Sequence, residues 1–211
     1  MQLEFKNIFS QSIVKAYNIE LDHAAILKEI KKLKYDPISL SKINNSYEQK
    51  THISKSIKIH EEIKNGSEII RVVSNYIKIA CQKHFKFDTD FRIINVWSIC
   101  TNPGGYTSIH THKNYWLSFV YYPHGELKDN FTICFKNNND NFAYDVKVSE
   151  FNAFNQSSMI ETVEKGNLLI FSANMQHFIG YNRSNKRRYS IAGNIIPIGI
   201  IGSGDGTLEL K

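Results

Sequence analysis

The second half of the chain is a succession of short segments rich in β-branched and aromatic residues, separated by turn-forming residues. From Phe91 onward, such segments cover residues 92–100, 106–112, 115–122, 131–135, 143–148, 167–173, 177–181 and 188–201. Glycine, proline and polar residues cluster between them, at 102–105, 123–126, 137–141, 164–167 and 183–186. About eight short strands without intervening helices are typical of an antiparallel sandwich or barrel. We therefore predict a mainly β fold for residues 91–200.

The first 90 residues carry helical signals instead. Residues 21–33 place apolar side chains at near-helical spacing, and Asp22 can cap the start of that helix. Residues 67–85 form a second apolar stripe, with Ser67 in the position of an N-cap. No internal repeat and no linker rich in Pro, Gly or Ser divides the chain. We expect a single domain over 1–211, with N-terminal helices (1–90) supporting a β core (91–200).

The cysteines and the hydropathy pattern bear on the compartment. Cys81, Cys100 and Cys134 are widely separated and form no Cys-x-x-Cys pair, which indicates free thiols in a reducing compartment. No stretch approaches the roughly 18 apolar residues that span a bilayer. The N-terminal residues lack the pattern of a signal peptide. A cytoplasmic protein without a membrane segment is the expectation.

The chain is basic, with a formal net charge of +6 and a pI near 9.1. Its lysines are scattered, and they form no stripe interleaved with aromatic residues, so we do not predict nucleic-acid binding. The sequence carries no signal for an oligomeric state. The partner that we expect is a small-molecule or peptide substrate.

Three of the eight histidines stand out by their positions. His110 and His112 lie in a segment that alternates like a strand, where side chains two residues apart face the same side. Two imidazoles would then project together, as a metal site requires, although an isolated pair is more often a polar strand face. His177 follows the strongly apolar segment 167–173 and supplies a possible third ligand. The other histidines have no partner at ligand spacing.

Arg188 and Ser190 open the last long apolar segment. Residues two apart on a strand share one face, and the forked guanidinium of arginine suits a carboxylate. An arginine inside a barrel would need such an anion. The chain therefore offers two possible ligands on one segment, a third about 65 residues later, and a carboxylate receptor beyond it.

The order of these residues resembles the 2-oxoglutarate/Fe(II) oxygenase superfamily. The nearest similarity is to a short family of oxygenases, common in phage and marine bacterial genomes, that is related to prolyl hydroxylases. The resemblance is carried by Asn95-Val96-Trp97, Pro103-Gly104-Gly105-Tyr106, His110-Thr111-His112, Leu117 to Tyr122, Lys165 to Phe171, His177 and Arg188 to Asn194. Asn7-Ile8-Phe9-Ser10 is also similar to that family's N-terminus.

The resemblance implies a double-stranded β-helix (jelly-roll) core, Fe(II), and 2-oxoglutarate as co-substrate. It makes His110 the first iron ligand and His177 the distal one. Arg188 would pair with the C5 carboxylate of 2-oxoglutarate, with Ser190 and the hydroxyl of Tyr122 assisting. The implied reaction is O2-dependent hydroxylation of a C–H bond, with release of succinate and CO2. The substrate would be a peptidyl, prolyl-type residue or a small molecule.

The chain departs from the superfamily at His112, which takes the place of the usual aspartate or glutamate ligand. Three imidazoles still make a facial triad, but one that also suits Zn, Cu or Ni. If His112 is not a ligand, Glu126 or Asp129 is the alternative. Two other functions remain open: a cupin-like three-histidine enzyme without 2-oxoglutarate, and a non-catalytic jelly-roll binding module. A cupin usually carries a glutamate soon after His-x-His, and residues 113–117 contain none.

Overall fold

The computed structural model describes residues 4, 11–38, 49–137, 146–152 and 155–211 of the chain. The elements of the N-terminal part are β1 (Ile13–Ala16), α1 (His23–Ile30), β2 (Tyr35–Pro37), β3 (Thr51–Ser54), α2 (Ile59–Glu62) and α3 (Gly66–Ile79). They are followed by β4 (Asp90–Thr101), β5 (Leu117–Tyr122), β6 (Thr132–Lys136), β7 (Ser158–Thr162), β8 (Asn167–Ser172), β9 (His177–Ile179), β10 (Arg188–Ile201) and β11 (Leu208–Leu210).

The strands form two antiparallel sheets. The larger sheet runs in the order β1-β8-β5-β10-β4-β3-β2, and β11 pairs with the end of β10. The smaller sheet has the order β7-β6-β9. An apolar cluster that includes Val120, Phe171 and Ala192 of the larger sheet and Phe135 of the smaller one lies between them. This two-sheet arrangement is the predicted double-stranded β-helix.

The central strands of the larger sheet are buried on both faces, which explains their almost continuous apolar sequence. On β5, Phe119 and Tyr121 point to the face covered by α1 and α3, where they join the isoleucines of these helices. Val120 and Tyr122 alternate with them and point to the space between the sheets. Along β10 the even-numbered residues from Arg188 to Asn194 share that inner face. The alternation therefore separates a supporting face from a face that lines the site.

The described residues of the N-terminal part contain three short strands in addition to the predicted helices. β1 pairs with β8, and β3 pairs with β4, which extends the larger sheet at both edges. These strands have three or four residues, too few to show a period of two in the sequence. Residues 35–66 contain β2, β3 and α2, while residues 39–48 lie outside the described residues, as do Asn7 to Ser10.

Both predicted helices exist, with different ends. Asp22 caps α1 as predicted, and its side chain accepts a hydrogen bond from the Ala25 N–H at 3.0 Å. α3 begins at Gly66 with Asn65 as the N-cap residue, so the prediction of Ser67 as the cap is wrong. A Cβ on Gly66 would lie 2.0 Å from the backbone oxygen of His60, which explains why glycine begins this helix. A π-helical turn continues α3 from Ala80 to Phe85.

Two predicted strands differ from the structure. Residues 106–112 form an extended segment joined to β9 by a single bridge, rather than a regular strand. Of the predicted strand 143–148, residues 146–148 are not in a strand and 143–145 lie outside the described residues. The partner of β6 is instead β7, whose residues Ser158, Met159 and Ile160 are exposed and give no apolar alternation. Among the described residues, no helix has the length and apolar character needed to span a membrane.

Candidate active site

His110, His112 and His177 lie together at one end of the space between the sheets. One ring nitrogen from each lies within 4.8 Å of the others. The ring centroids are 4.4 Å apart for His110 and His177, 5.0 Å for His112 and His177, and 5.3 Å for His110 and His112. The structure thus brings together the three histidines that the sequence singled out.

Backbone hydrogen bonds to β9 and to the end of β8 hold the histidine segment in place. The N–H groups of His110 and His177 each donate to the other residue's backbone oxygen at 3.0 Å. The N–H of His112 donates to the oxygen of Ala173 at 2.8 Å. Thr107 is bound through its side chain, which accepts from the N–H of Ile179 at 2.7 Å. Although the segment is not a regular strand, its extended backbone still points His110 and His112 to the same side.

The turn before the histidines is fixed by Asn182. Its side-chain amide donates to the backbone oxygens of Thr101 and Asn102, and its backbone binds Gly104 and Gly105. Gly104 has a φ of +75°, a conformation that suits glycine, and a Cβ on Gly105 would lie 2.7 Å from the Lys50 oxygen. The Pro103-Gly104-Gly105 motif is therefore needed to lead β4 into the histidine segment.

The environment of His112 and His177 favours neutral rings. Burial is the main cause that lowers the pKa of His177 to about 3, and the nearby His110 lowers it further. Burial also lowers the pKa of His112. The Nδ1 atoms of His110 and His177 lie 2.8 and 2.9 Å from the backbone oxygens of Ser108 and Met175. Since a carbonyl only accepts, both Nδ1 atoms carry the hydrogen and both Nε2 atoms keep a lone pair, as a metal ligand requires.

The opposite end of the space contains Arg188, which is 2% exposed. Its Nη1 donates to the backbone oxygen of Thr132 at 2.5 Å, and its Nη2 donates to the hydroxyl of Tyr122 at 3.1 Å. Its Nε is buried without a hydrogen-bond partner. Among the described residues, no carboxylate lies within ion-pair distance of this guanidinium. A buried, uncompensated positive charge is costly, so this end is suited to an anionic ligand.

Tyr122 and Ser190 lie beside Arg188 in the buried part of the molecule. Tyr122 is fully buried, and burial raises the pKa of its phenol, so the hydroxyl remains a hydrogen-bond donor. Ser190 is 3% exposed and lies two residues beyond Arg188 on the inner face of β10. All three predicted anion-binding residues are thus in one region.

A cavity of about 610 Å³ connects the two ends. A volume of this size suits a small-molecule site. The lining is mostly apolar, and Arg188 is the only charged side chain apart from histidines among the described lining residues. The apolar lining consists of Ile38, Ile53, Trp97, Ile99, Ile109, Val120, Ile133, Ile179 and Ala192; the polar lining adds Gln49, Thr107, Ser108 and Ser190.

Glu126 and Asp129, the alternative ligands, are not in the histidine cluster. Glu126 pairs with Lys128 at 2.7 Å, and Asp129 pairs with Lys186 at 2.9 Å. The structure instead places Asn194 and Ser118 beside His112. The sequence analysis gave Asn194 no role. In the sequence it ends the segment Arg188 to Asn194 that carries the resemblance, and it shares the inward-facing parity of Arg188 and Ser190 on β10.

Several solved structures have a similar fold. The carbocyclase SnoK from nogalamycin biosynthesis, described as non-heme and α-ketoglutarate-dependent, gives a TM-score of 0.64 at 10% identity, covering 95% of this chain and 82% of that one. HygX from Streptomyces hygroscopicus, solved with nickel and 2-oxoglutarate, gives a TM-score of 0.61 at 7% identity. The match covers 89% of this chain and 83% of HygX. A Pseudomonas putida prolyl-4-hydroxylase gives a TM-score of 0.59 at 12% identity. The match covers 88% of this chain and 92% of the hydroxylase.

At such low identities these structures support the fold alone. The fold, the histidine cluster and a family match confirm the predicted resemblance to the non-haem 2-oxoglutarate/Fe(II) oxygenases. More narrowly, residues 95–194, which are 100 of the 211, match the model of the family described as "Putative 2OG-Fe(II) oxygenase". No curated protein matches the sequence.

Proposed function

We propose that this chain binds Fe(II) through His110, His112 and His177 and binds 2-oxoglutarate through Arg188, Tyr122 and Ser190. It would use O2 to hydroxylate a substrate C–H bond, with release of succinate and CO2. The observation that carries the proposal is one cavity with three imidazoles at one end and, at the other, a buried guanidinium that has no acidic partner among the described residues.

The donor set fits the metal. Three neutral imidazoles with free Nε2 atoms are good ligands for divalent first-row metals and leave other coordination positions open. Bound Fe(II) supplies the oxygen chemistry, while the protein supplies binding, orientation and electrostatics. Because the site contains no acidic ligand among the described residues, the negative charge near the metal would come from the co-substrate.

The anion end fits the far carboxylate of 2-oxoglutarate. Arg188 has one buried N–H group without a partner, and a carboxylate oxygen would satisfy it. The hydroxyls of Tyr122 and Ser190 can then donate to the same carboxylate. Burial strengthens these interactions because water does not compete for the donors. The guanidinium and the histidine cluster therefore bind opposite ends of the co-substrate.

The substrate would lie against the part of the cavity formed by β3, β4 and the histidine segment. Ile53, Ile99 and Ile109 make this part apolar, and Gln49, Thr107 and Ser108 add uncharged polar groups. We infer that the reacting portion of the substrate is uncharged and apolar, as in a peptidyl prolyl-type residue or an apolar small molecule. Ile38, Gln49 and Ile53 line the cavity, so we propose that segment 35–66 contributes to substrate binding through these residues.

We further propose that residues 1–211 act as a single oxygenase domain in the cytoplasm. The two edges of the larger sheet come from the N-terminal third, which supports the single-domain proposal. The described cysteines are free and buried, which is typical of proteins from reducing compartments.

The proposed function is tested by following succinate formation from 2-oxoglutarate with the Fe(II)-loaded protein in air. Turnover that requires both Fe(II) and 2-oxoglutarate, and that is stimulated by peptidyl-proline or apolar small molecules, would support it. Oxygen consumption without 2-oxoglutarate would favour a cupin-like three-histidine enzyme. Binding of metal without any turnover would favour a non-catalytic jelly-roll module.

A further inference from the structure

The three histidines are not held in the same way. His110 and His177 each direct Nδ1 at a backbone oxygen two residues earlier in the chain. The Nδ1 of His112 instead lies 2.5 Å from Oδ1 of Asn194, a residue 82 positions away on the central strand β10. His112 is therefore the one member of the cluster whose Nδ1 is hydrogen-bonded to another side chain.

Asn194 is itself held by Ser118 on the neighbouring strand β5. The Ser118 hydroxyl donates to Oδ1 of Asn194 at 2.8 Å, and the two residues are directly opposite in the register of β5 and β10. Asn194 is 4% exposed and Ser118 is fully buried. Because water has little access to this pair, the direction of the Asn194 oxygen is set by the protein.

This arrangement selects one form of the His112 ring. An amide oxygen only accepts hydrogen bonds, so Nδ1 of His112 must carry the hydrogen, and Nε2 keeps its lone pair. The ring of Trp97, with its centroid 5.4 Å away, packs beside His112 and limits its rotation. A carboxylate in place of His112 would present a lone pair to the Asn194 oxygen. The surroundings therefore suit an imidazole at this position.

We propose that Asn194, oriented by Ser118, is a positioning residue that makes His112 the third metal-binding nitrogen of the site. The inference rests on the proposed metal-binding function, and it explains how the chain accommodates a histidine in the place of an acidic ligand. Partners of this kind orient a metal-binding histidine and set its tautomer, and their removal typically lowers metal affinity roughly 10- to 100-fold.

The first test uses the metal-free protein and nitrogen NMR of the imidazoles, which reports the tautomer of each ring. The unaltered protein should show His112 with hydrogen on Nδ1. Asn194→Leu removes the acceptor at similar size and should abolish this preference, whereas Asn194→Asp keeps an acceptor and should retain it. Asn95→Leu is the matched control, since Asn95 lies opposite Asn194 on β4 and its amide binds Tyr115.

The second test measures Co(II) affinity of the same proteins by visible absorption. Asn194→Leu should weaken Co(II) binding roughly 10- to 100-fold. Asn194→Asp should bind Co(II) at least as tightly as the unaltered protein, because a hydrogen-bonded carboxylate makes Nε2 of the imidazole a more basic metal ligand. Ser118→Ala should give a smaller loss, and Asn95→Leu should leave the affinity within about twofold of the unaltered protein.

The inference is overturned if His112 carries its hydrogen on Nε2 in the unaltered protein. It is also overturned if Asn194→Leu keeps both the tautomer and the affinity, or if Asn95→Leu weakens binding equally. Failure of the proposed function is distinguishable, because the unaltered protein would then bind no Co(II) while the NMR measurement, which needs no metal, still reports the His112 tautomer.

Discussion

The two ends of the cavity are built on different parts of the fold. Arg188 and Tyr122 lie on β10 and β5 in the middle of the larger sheet, where both residues are almost fully buried. His110 is exposed and His112 half-buried, and both lie on an extended segment joined to the short strand β9 by a single bridge. The residues of the anion end therefore belong to central strands of the larger sheet, whereas His110 and His112 lie outside regular strands.

This difference indicates how substitutions should affect the two ends of the cavity. Side chains on a central strand are positioned by the same contacts that stabilise the fold, so the anion end is preorganised before any ligand binds. The histidine end depends on a few hydrogen bonds between loop and strand, and on Asn194 reaching across from β10. Under the proposed metal-binding function, the hydrogen bonds of Asn194 and Ser118, rather than the sheet itself, would decide which atom of His112 faces the metal.

The largest effect should come from removing a ligand at the histidine end. His177→Ala should reduce Fe(II)- and 2-oxoglutarate-dependent succinate formation to background, because two imidazoles cannot hold the metal in the proposed geometry. Iron content after desalting and succinate formation measure the change. His84→Ala alters an exposed histidine outside the cavity and should match the unaltered protein in both. Retention of stoichiometric iron by His177→Ala would show that His177 is not a ligand.

Removing the charge at the anion end should affect co-substrate binding and leave the metal in place. Arg188→Met should weaken 2-oxoglutarate binding by about 3–5 kcal/mol, since it leaves a buried carboxylate without its partner. This corresponds to roughly two to four orders of magnitude in Kd. Calorimetric titration of the metal-loaded protein measures it, with the exposed Arg183→Met as control. An equal loss of Fe(II) affinity would contradict the separation of the two ends.

A smaller effect at the same end is expected from Tyr122→Phe. This change removes one hydroxyl, which receives a hydrogen bond from Arg188 and can donate to the co-substrate. We expect a loss of about 0.5–1.5 kcal/mol, or roughly 2- to 10-fold in the Kd for 2-oxoglutarate. The same titration measures it. An unchanged Kd would mean that the Tyr122 hydroxyl does not reach the carboxylate.

How much of this site can be predicted from sequence depends on the kind of signal. The strands β5, β8 and β10 are predictable because burial on both faces gives long apolar runs, and His110, His112, His177 and Arg188 are visible because their chemistry is unusual in such runs. Asn194 is different. Asparagine is common, and the contact that gives it a role joins residues 82 positions apart. The role of Asn194 becomes visible only in the folded chain, where it lies opposite Ser118 in the register of β10 with β5 and contacts His112.

The short strands illustrate a second limit. β1 and β3 form the outer parts of the larger sheet, yet their sequences, Ile13–Ala16 and Thr51–Ser54, are too short for a periodic signal. Their pairing is decided by the exposed edges of β8 and β4, which are properties of the assembled sheet. The histidine segment shows the converse, because its alternation correctly predicted which side chains point together although the segment is not a strand.

A last expected effect, on stability rather than on ligand binding, concerns His124, beside the anion end. Its Nε2 accepts a hydrogen bond from the backbone of Tyr189 at 2.8 Å. Burial first, and then Lys31, lower its pKa from 6.5 to about 4, against a raising effect of Asp129. Since the folded-state pKa is depressed, this contribution to stability is complete above pH 6.5 and is lost as the pH falls toward 4.

The free energy of unfolding of the metal-free protein should therefore decrease between pH 6.5 and 4, with a contribution from His124 of at most about 1.4 kcal/mol per pH unit. His124→Gln, whose side-chain oxygen can still accept from Tyr189 but does not titrate, should flatten the decrease. Urea unfolding at a series of pH values measures it. An identical pH slope in the variant would rule out this role for His124.

The measurement that tests the two-ended site most directly is an anaerobic titration of the Fe(II)-loaded protein with 2-oxoglutarate, followed by the weak visible charge-transfer absorption of the chelate. We expect a band that saturates at one 2-oxoglutarate per chain. It should be absent in His112→Ala, and in Arg188→Met it should appear only at much higher 2-oxoglutarate concentration. Normal iron binding without any band in the unaltered protein would contradict the account.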